Sequence, residues 1–171
     1  MRILVLNGSP HLEGHTSYLI KSFKEGAESK GHEVEVINLV SKNIHPCEGC
    51  ERCHRGIVPN CHQEDDMLEI YPKLKNLDML VFASPIHYYG FSGLMQSAIS
   101  RFYSPYKLTS IPNFGLILSS NRTEVFDPVI AQYRGIVSFF EGTDKGIVTV
   151  HGDDNGSEHV KVRLYNFGAS L

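Results

Sequence analysis

Five short apolar runs, separated by stretches of helical period, leave few folds open to this chain. The runs RILVLN (2–7), EVEVINL (33–39), DMLVFA (78–83), FGLILS (114–119) and GIVTV (146–150) are rich in β-branched residues and bounded by Gly, Pro, Asn or Asp, as buried strands are. Between them, Leu19, Ile20, Phe23 and Ala27 share one helical face. So do Leu94, Met95, Ala98, Ile99 and Phe102, and likewise Val129, Ile130, Tyr133, Ile136, Val137 and Phe140. Asp127-Pro128 predicts an N-cap carboxylate followed by a first-turn proline. Met67, Leu68, Tyr71 and Leu74 mark a further helix, but Pro72 inside it costs roughly 3 kcal/mol in a regular interior, so a kink or two short pieces are expected. The tail from about 156 to 170 reads as weakly helical. Strands alternating with helices predict an α/β fold, a doubly wound five-stranded parallel sheet with helices on both faces.

A chain of 171 residues without low-complexity runs can bury most of its apolar surface around one core. One domain over residues 1–171 is expected, with a cysteine-rich loop inserted at about 45–62. The apolar run after Met1 is too short for a signal peptide, and no stretch approaches the roughly 20 apolar residues of a membrane span. A cytoplasmic protein without a membrane partner is the expectation. The formal net charge of −3, with acids and bases interspersed, gives no footprint for nucleic acid and points to small-molecule partners.

In doubly wound sheets, ligands bind outside the carboxyl ends of the strands, where strand order reverses. After the first strand comes Gly8-Ser9-Pro10-His11-Leu12-Glu13-Gly14-His15-Thr16-Ser17, a small-residue loop entering a helix. Its N–H groups, with Ser9, Thr16 and Ser17 hydroxyls and His11 or His15, can hold a phosphate at the positive end of the helix dipole; a plain β–α turn is the alternative. Neither Gly-x-Gly-x-x-Gly nor Gly-x4-Gly-Lys-Ser/Thr is present, and no Gly-x-Ser-x-Gly elbow suggests a hydrolase. After the third strand comes Ser84-Pro85-Ile86-His87-Tyr88-Tyr89-Gly90-Phe91-Ser92, whose aromatics can stack on a flat ring or pack under the loop and at a subunit interface.

Asn7-Gly8-Ser9-Pro10 with Gly14, Thr16 and Ser17, the cysteine loop followed by Asp65-Asp66-Met67, Ser84-Pro85-Ile86 with Ser92, and Arg101 together resemble the flavodoxin-like NAD(P)H-dependent FMN oxidoreductases, including their iron–sulfur flavoprotein branch. The resemblance runs from the first strand to about residue 150. It implies the flavodoxin strand order 2-1-3-4-5 and noncovalent FMN, with its phosphate near Ser9, His11, His15, Thr16 and Ser17. The ring edge would lie on Pro85, Ile86, His87 and Tyr88, and its other side on Ser119 and Asn121. Electrons would pass from NAD(P)H through FMN to a quinone, a nitro or azo compound, or free flavin. No side chain need act as a general acid, because the flavin carries the chemistry; His87 is the one candidate proton donor. A homodimer or homotetramer is implied, with the segment 88–106 as a contact. His11 stands where the family often has Arg, and an imidazole is mostly uncharged at neutral pH, which predicts weakened phosphate binding and partial FMN occupancy.

All four cysteines lie between residues 47 and 61, in CEGCERCHRGIVPNC. Cys47, Cys50 and Cys53 match the start of a ferredoxin-type Cys-x2-Cys-x2-Cys run, and Cys61 can close a four-thiolate site. A [4Fe–4S] cluster there would pass single electrons to a protein partner such as a ferredoxin. Zinc, held by the thiolates or by fewer of them with His45, His54 or His62, would make a non-catalytic stabilised module. A disulfide is disfavoured in a reducing compartment, and a reduced, metal-free loop is the fourth possibility.

Overall fold

The computed structural model describes residues 1–104 and 111–171. Its sheet contains β1 (Arg2–Asn7), β2 (Glu33–Asn38), β3 (Met79–His87), β4 (Gly90–Phe91), β5 (Asn113–Ser120) and β6 (Thr143–His151). The five longer strands are parallel in the order β2-β1-β3-β5-β6, and β4 turns back antiparallel on the end of β3. Counting the longer strands alone, this is the expected 2-1-3-4-5 order. The helices are α1 (His15–Glu28), α2 (Met67–Ile70), α3 (Gly93–Ser100), α4 (Asp127–Phe139) and α5 (Glu158–Ala169).

Alternation along each strand sends side chains to two separate cores. Ile3, Val5, Met79, Val81, Ile117 and Val148 face α1 and α5, meeting Leu19, Phe23, Ala27, Val160 and Leu164. Leu4, Leu6, Leu80, Phe82, Leu116 and Leu118 face the other way onto Met67, Ile70, Met95, Ala98, Val129 and Tyr133. Phe82 lies at the centre of that second layer, with the rings of Phe91, Phe102, Phe114 and Tyr133 at 6.2–6.4 Å. Each such fully buried side chain contributes about 1.5–3 kcal/mol.

Pro72 divides its helix as expected: α2 ends at Ile70 and a 3-10 turn continues over Tyr71–Leu74. Proline lacks the N–H that a longer α-helix needs. The capping expectation at Asp127 is corrected, because Phe126 occupies the N-cap and no side chain caps it. Asp127 stands one residue further in, where its carboxylate meets the positive end of the helix dipole. Strand β3 runs four residues beyond the expected end at Ala83, since Ser84 and Pro85 still pair with Leu118 and Ser119. Of the segment 88–106 expected to form a subunit contact, residues 105 and 106 lie outside the described residues. No helix among the described residues is long and apolar enough to cross a membrane.

Candidate functional site

The loop after β1 is built around Asn7, which is 1% exposed. Its Oδ1 accepts from the Ser9 N–H at 3.0 Å, while its Nδ2 donates to Asn38 Oδ1 and Ser17 Oγ. The loop is thereby tied to the next strand and to the first turn of α1. Gly8 donates its N–H to the Ala83 carbonyl and gives its own carbonyl to the Ser92 hydroxyl at 2.6 Å. A Cβ at Gly8 would stand 2.9 Å from both Met95 Cβ and Ser92 Oγ, so glycine is what lets this loop seat against α3. Ser92 also caps α3, accepting from Met95 N–H.

These connections open a cavity of about 260 Å³ at the carboxyl edge of the sheet, just below the ~300–1,000 Å³ of small-molecule pockets. Its walls come from the loop after β1, the first turn of α1, the carboxyl ends of β3 and β5, and the segments that follow β5 and β6. Of the residues anticipated from sequence, Ser9, His11, His15, Thr16, Pro85, Ile86, His87, Ser119 and Asn121 all line it. Two do not. Ser17 Oγ accepts from Asn7 and donates to the His11 carbonyl, so it holds the loop from behind. The Tyr88 side chain is 99% exposed, because Tyr88 and Tyr89 form the tight turn between β3 and β4 with φ of 50° and 65°. The Ser9 hydroxyl is occupied within the loop as well, donating to the His11 carbonyl and accepting from its N–H.

Thr16 is buried, and its Oγ1 lies 2.8 Å from Ser119 Oγ, joining the first helical turn to the end of β5. Gly14 takes the N-cap of α1 and no side chain caps the helix, so first-turn N–H groups face the cavity without a protein carboxylate or hydroxyl over them. That is the donor arrangement a phosphate dianion needs. Asn155, which sequence reasoning missed, lines the same cavity. Its Nδ2 donates to Gly152 and Ser120 carbonyls, while its Oδ1 is buried without a partner. It follows β6, so the carboxyl-edge rule, applied to the last strand, was the available signal. A phosphate on the uncapped turn, with the Pro85–His87 backbone and the Asn155 oxygen toward a polar ring edge, fits FMN in kind.

A second, smaller cavity of about 20 Å³ lies at the other end of α3, and all four cysteines line it together with Tyr71, Arg101 and Ser104. Among the described residues, no group of three or more His, Cys, Asp or Glu side chains is arranged to hold a metal ion. The thiols thus border one space without being gathered around a centre. They are free thiols, with Cys50 exposed and the others half-buried. Burial pushes the Cys53 thiol pKa up, with backbone hydrogen bonds opposing.

The loop is fastened at its base. Cys47 N–H donates to Ser100 Oγ at 3.0 Å, and Tyr103 donates its hydroxyl proton to Glu51 at 2.7 Å. Arg101, 1% exposed, donates through Nη1 to the His45 carbonyl at 2.9 Å and to the equally buried Asp65 carboxylate. Asp65 in turn accepts from the N–H groups of His45 and Met67. Burial is the largest single influence and works against the Arg101 charge, but the Asp65 hydrogen bond together with the charges facing the guanidinium outweighs it, and the guanidinium pKa is raised. Among the described residues, its Nε and Nη2 remain buried without a partner, on the cavity that the cysteines line. Four soft donors with ferredoxin-type spacing and an unfilled cation beside them fit a [4Fe–4S] cluster in donor chemistry and number.

The sequence profile of NADPH-dependent FMN reductases matches residues 1–131. An iron–sulfur flavoprotein of Archaeoglobus fulgidus is 30% identical over 130 residues, covering 76% of this chain and 58% of its own. A Bacillus subtilis protein provisionally described as an NAD(P)H-dependent FMN-containing oxidoreductase is 26% identical, covering 91% of this chain and 88% of its own. The chain spans about half the length of the first curated relatives it matches, at 58%, 51% and 45%. Among solved structures, the NAD(P)H:quinone oxidoreductase from Methanothermobacter marburgensis superposes with a TM-score of 0.73 at 18% identity, over 100% of this chain and 96% of that one. That likeness speaks to the fold. With a family profile extending from β1 into α4, and the strand order and carboxyl-edge cavity that go with it, the chain belongs to the NADPH-dependent FMN reductase family.

Proposed function

We propose that this chain is an FMN-dependent NAD(P)H oxidoreductase that binds FMN in the cavity at the carboxyl edge of its sheet. The observation that carries the reading is the uncapped first turn of α1 opening into that cavity. FMN supplies hydride acceptance from NADH or NADPH and release of electrons to a second acceptor. The chain's own residues bind and orient. First-turn N–H groups and Thr16 hold the phosphate, with His11 and His15 beside it. The Pro85–His87 backbone and Asn155 meet the ring's polar edge, and Ser119, Ser120 and Asn121 border its other side. His87 is exposed on the rim, where it can exchange a proton with solvent. The acceptor is a small molecule, a quinone, a nitro or azo compound, or free flavin, and the working form is a cytoplasmic homodimer or homotetramer. Fluorescence titration of the apoprotein with FMN tests this: quenching that saturates at micromolar concentration supports it, and no binding there overturns it.

A second reading is favoured by the convergence of Cys47, Cys50, Cys53 and Cys61 on one cavity with Arg101. Relatives described as iron–sulfur flavoproteins point the same way. On this reading the cavity holds a [4Fe–4S] cluster and the electron acceptor is a one-electron protein partner of ferredoxin type. Iron and acid-labile sulfide in anaerobically purified protein test it: about four of each per chain support the cluster, and zinc or no metal overturns it.

A further inference from the structure

We infer that Arg101 is the counter-cation of the cysteine cavity, donating from Nε and Nη2 to sulfur in the thiolate cage and thereby raising the potential at which a cluster there is reduced. This rests on the cluster reading above. The guanidinium has five N–H donors and no acceptor, yet only Nη1 is engaged, by Asp65 and the His45 carbonyl. Nε and Nη2 are buried without partners among the described residues, in a side chain 1% exposed. An unfilled buried donor carries a desolvation penalty that a native site avoids unless a ligand removes it.

Among the described residues, the other groups nearby do not remove it. Asp65 already accepts from two backbone N–H groups as well as from Nη1. The Tyr71 hydroxyl donates to the Arg101 carbonyl and also lies beside the guanidinium, without a hydrogen bond to Nε or Nη2. Glu48, Glu51 and Gln63 also line the cavity, but Glu48 lies 3.3 Å from His62, Glu51 accepts from the Tyr103 hydroxyl and Gln63 donates to the Pro46 carbonyl; the remaining shared groups include all four cysteines. A neutral thiol is a weak acceptor, whereas a charged thiolate accepts charge-assisted hydrogen bonds of roughly twice ordinary strength. Cys61 packs against the core beneath the loop and lines the same cavity as Arg101.

A four-thiolate cluster is anionic, and one-electron reduction adds a further negative charge with no proton to offset it. A fixed cation facing the sulfurs therefore stabilises the reduced form more than the oxidised form. Net charge and hydrogen bonds to the sulfurs are the levers that set such potentials.

The test reconstitutes wild type, Asp65→Asn, Arg101→Lys and the double variant Asp65→Asn/Arg101→Gln anaerobically with iron and sulfide. Each is then titrated with dithionite while the reduced-cluster signal is followed by electron paramagnetic resonance. The double variant leaves no unpaired buried charge behind. The expected result is a cluster midpoint potential shifted negative in the double variant, shifted positive or unmoved in Asp65→Asn, and intermediate in Arg101→Lys. Iron-loaded double variant with the wild-type potential overturns the inference and leaves the cluster reading standing. Wild type that takes up no iron overturns the cluster reading itself, and the inference with it. If the double variant does not fold or load, Arg101→Lys decides: loss of the Nε donor shifts its potential negative on this proposal, and an unmoved potential refutes it.

Discussion

Asp65 and Arg101, 36 positions apart in sequence, meet as a pair of side chains each 1% exposed. Two charges so deeply placed contribute little by mutual attraction alone, because desolvation opposes it, but breaking one side leaves the other stranded at a cost of about 3–5 kcal/mol. Burial pushes the Asp65 pKa up, yet the Arg101 hydrogen bond, the His45 N–H, the guanidinium charge and the Met67 N–H together hold it below its ordinary value. A carboxyl depressed in this way contributes stability that is complete above its unfolded pKa of about 3.9 and is lost as pH falls through the lower folded value. Asp65→Asn is therefore expected to lose about 3–5 kcal/mol in urea unfolding near pH 7, and its deficit against wild type to narrow below about pH 4. A deficit that stays constant down to pH of about 2.5 would contradict the assignment of that stability to the ionised carboxyl. None of this pairing was legible in sequence. Asp65 and Arg101 stood out only through the family resemblance, since a contact between the base of one loop and the end of a distant helix leaves no local periodicity.

The two helices on one face of the sheet, α1 and α5, cross with backbone against backbone. A Cβ at Gly168 would collide with the Phe23 carbonyl and stand 2.7 Å from Ala27 N, and one at Gly26 would collide with the Tyr165 carbonyl. Backbone cannot swing aside as a side-chain tip can, so Gly168→Ala is expected to destabilise by about 1–3 kcal/mol. Gly135 provides the opposite case, exposed on α4 with nothing within 4 Å of its absent Cβ. Gly135→Ala is expected to stabilise by about 0.5–1 kcal/mol, so urea midpoints of the two variants should move in opposite directions. The longer strands and the helices were readable from their periods, because the core requires apolar residues at those spacings. What escaped was at the ends. The first residues of β6, Thr143, Asp144 and Lys145, are exposed and carry no apolar pattern. Strand β4 depends on a turn through Tyr88 and Tyr89 at positive φ, where sequence rules look for Asn-Gly.

At the scale of the whole molecule, the carboxyl edge gathers strand ends and loops from four places in the chain into one cavity, so a ligand there ties together elements far apart in sequence. A ligand at 100 times its dissociation constant adds about 2.7 kcal/mol to folding stability, or about 5–11 °C in Tm for a chain of this size. FMN is expected to give a shift of this order, and riboflavin, which lacks the phosphate, a much smaller one at equal concentration. Equal shifts would show that the uncapped turn of α1 is not the phosphate site. Loops that border the two cavities are fastened to opposite ends of α3, a rod of eight residues about 12 Å long. Ser92 at its start holds the Gly8 carbonyl, and Ser100 and Arg101 at its close hold the base of the cysteine loop. Such a short helix transmits displacement as a lever does, with Met95 and Ala98 buried against the sheet as its fulcrum. The spacing between the two chambers is consequently a fixed gauge, and a change that tilts one end must re-aim the other.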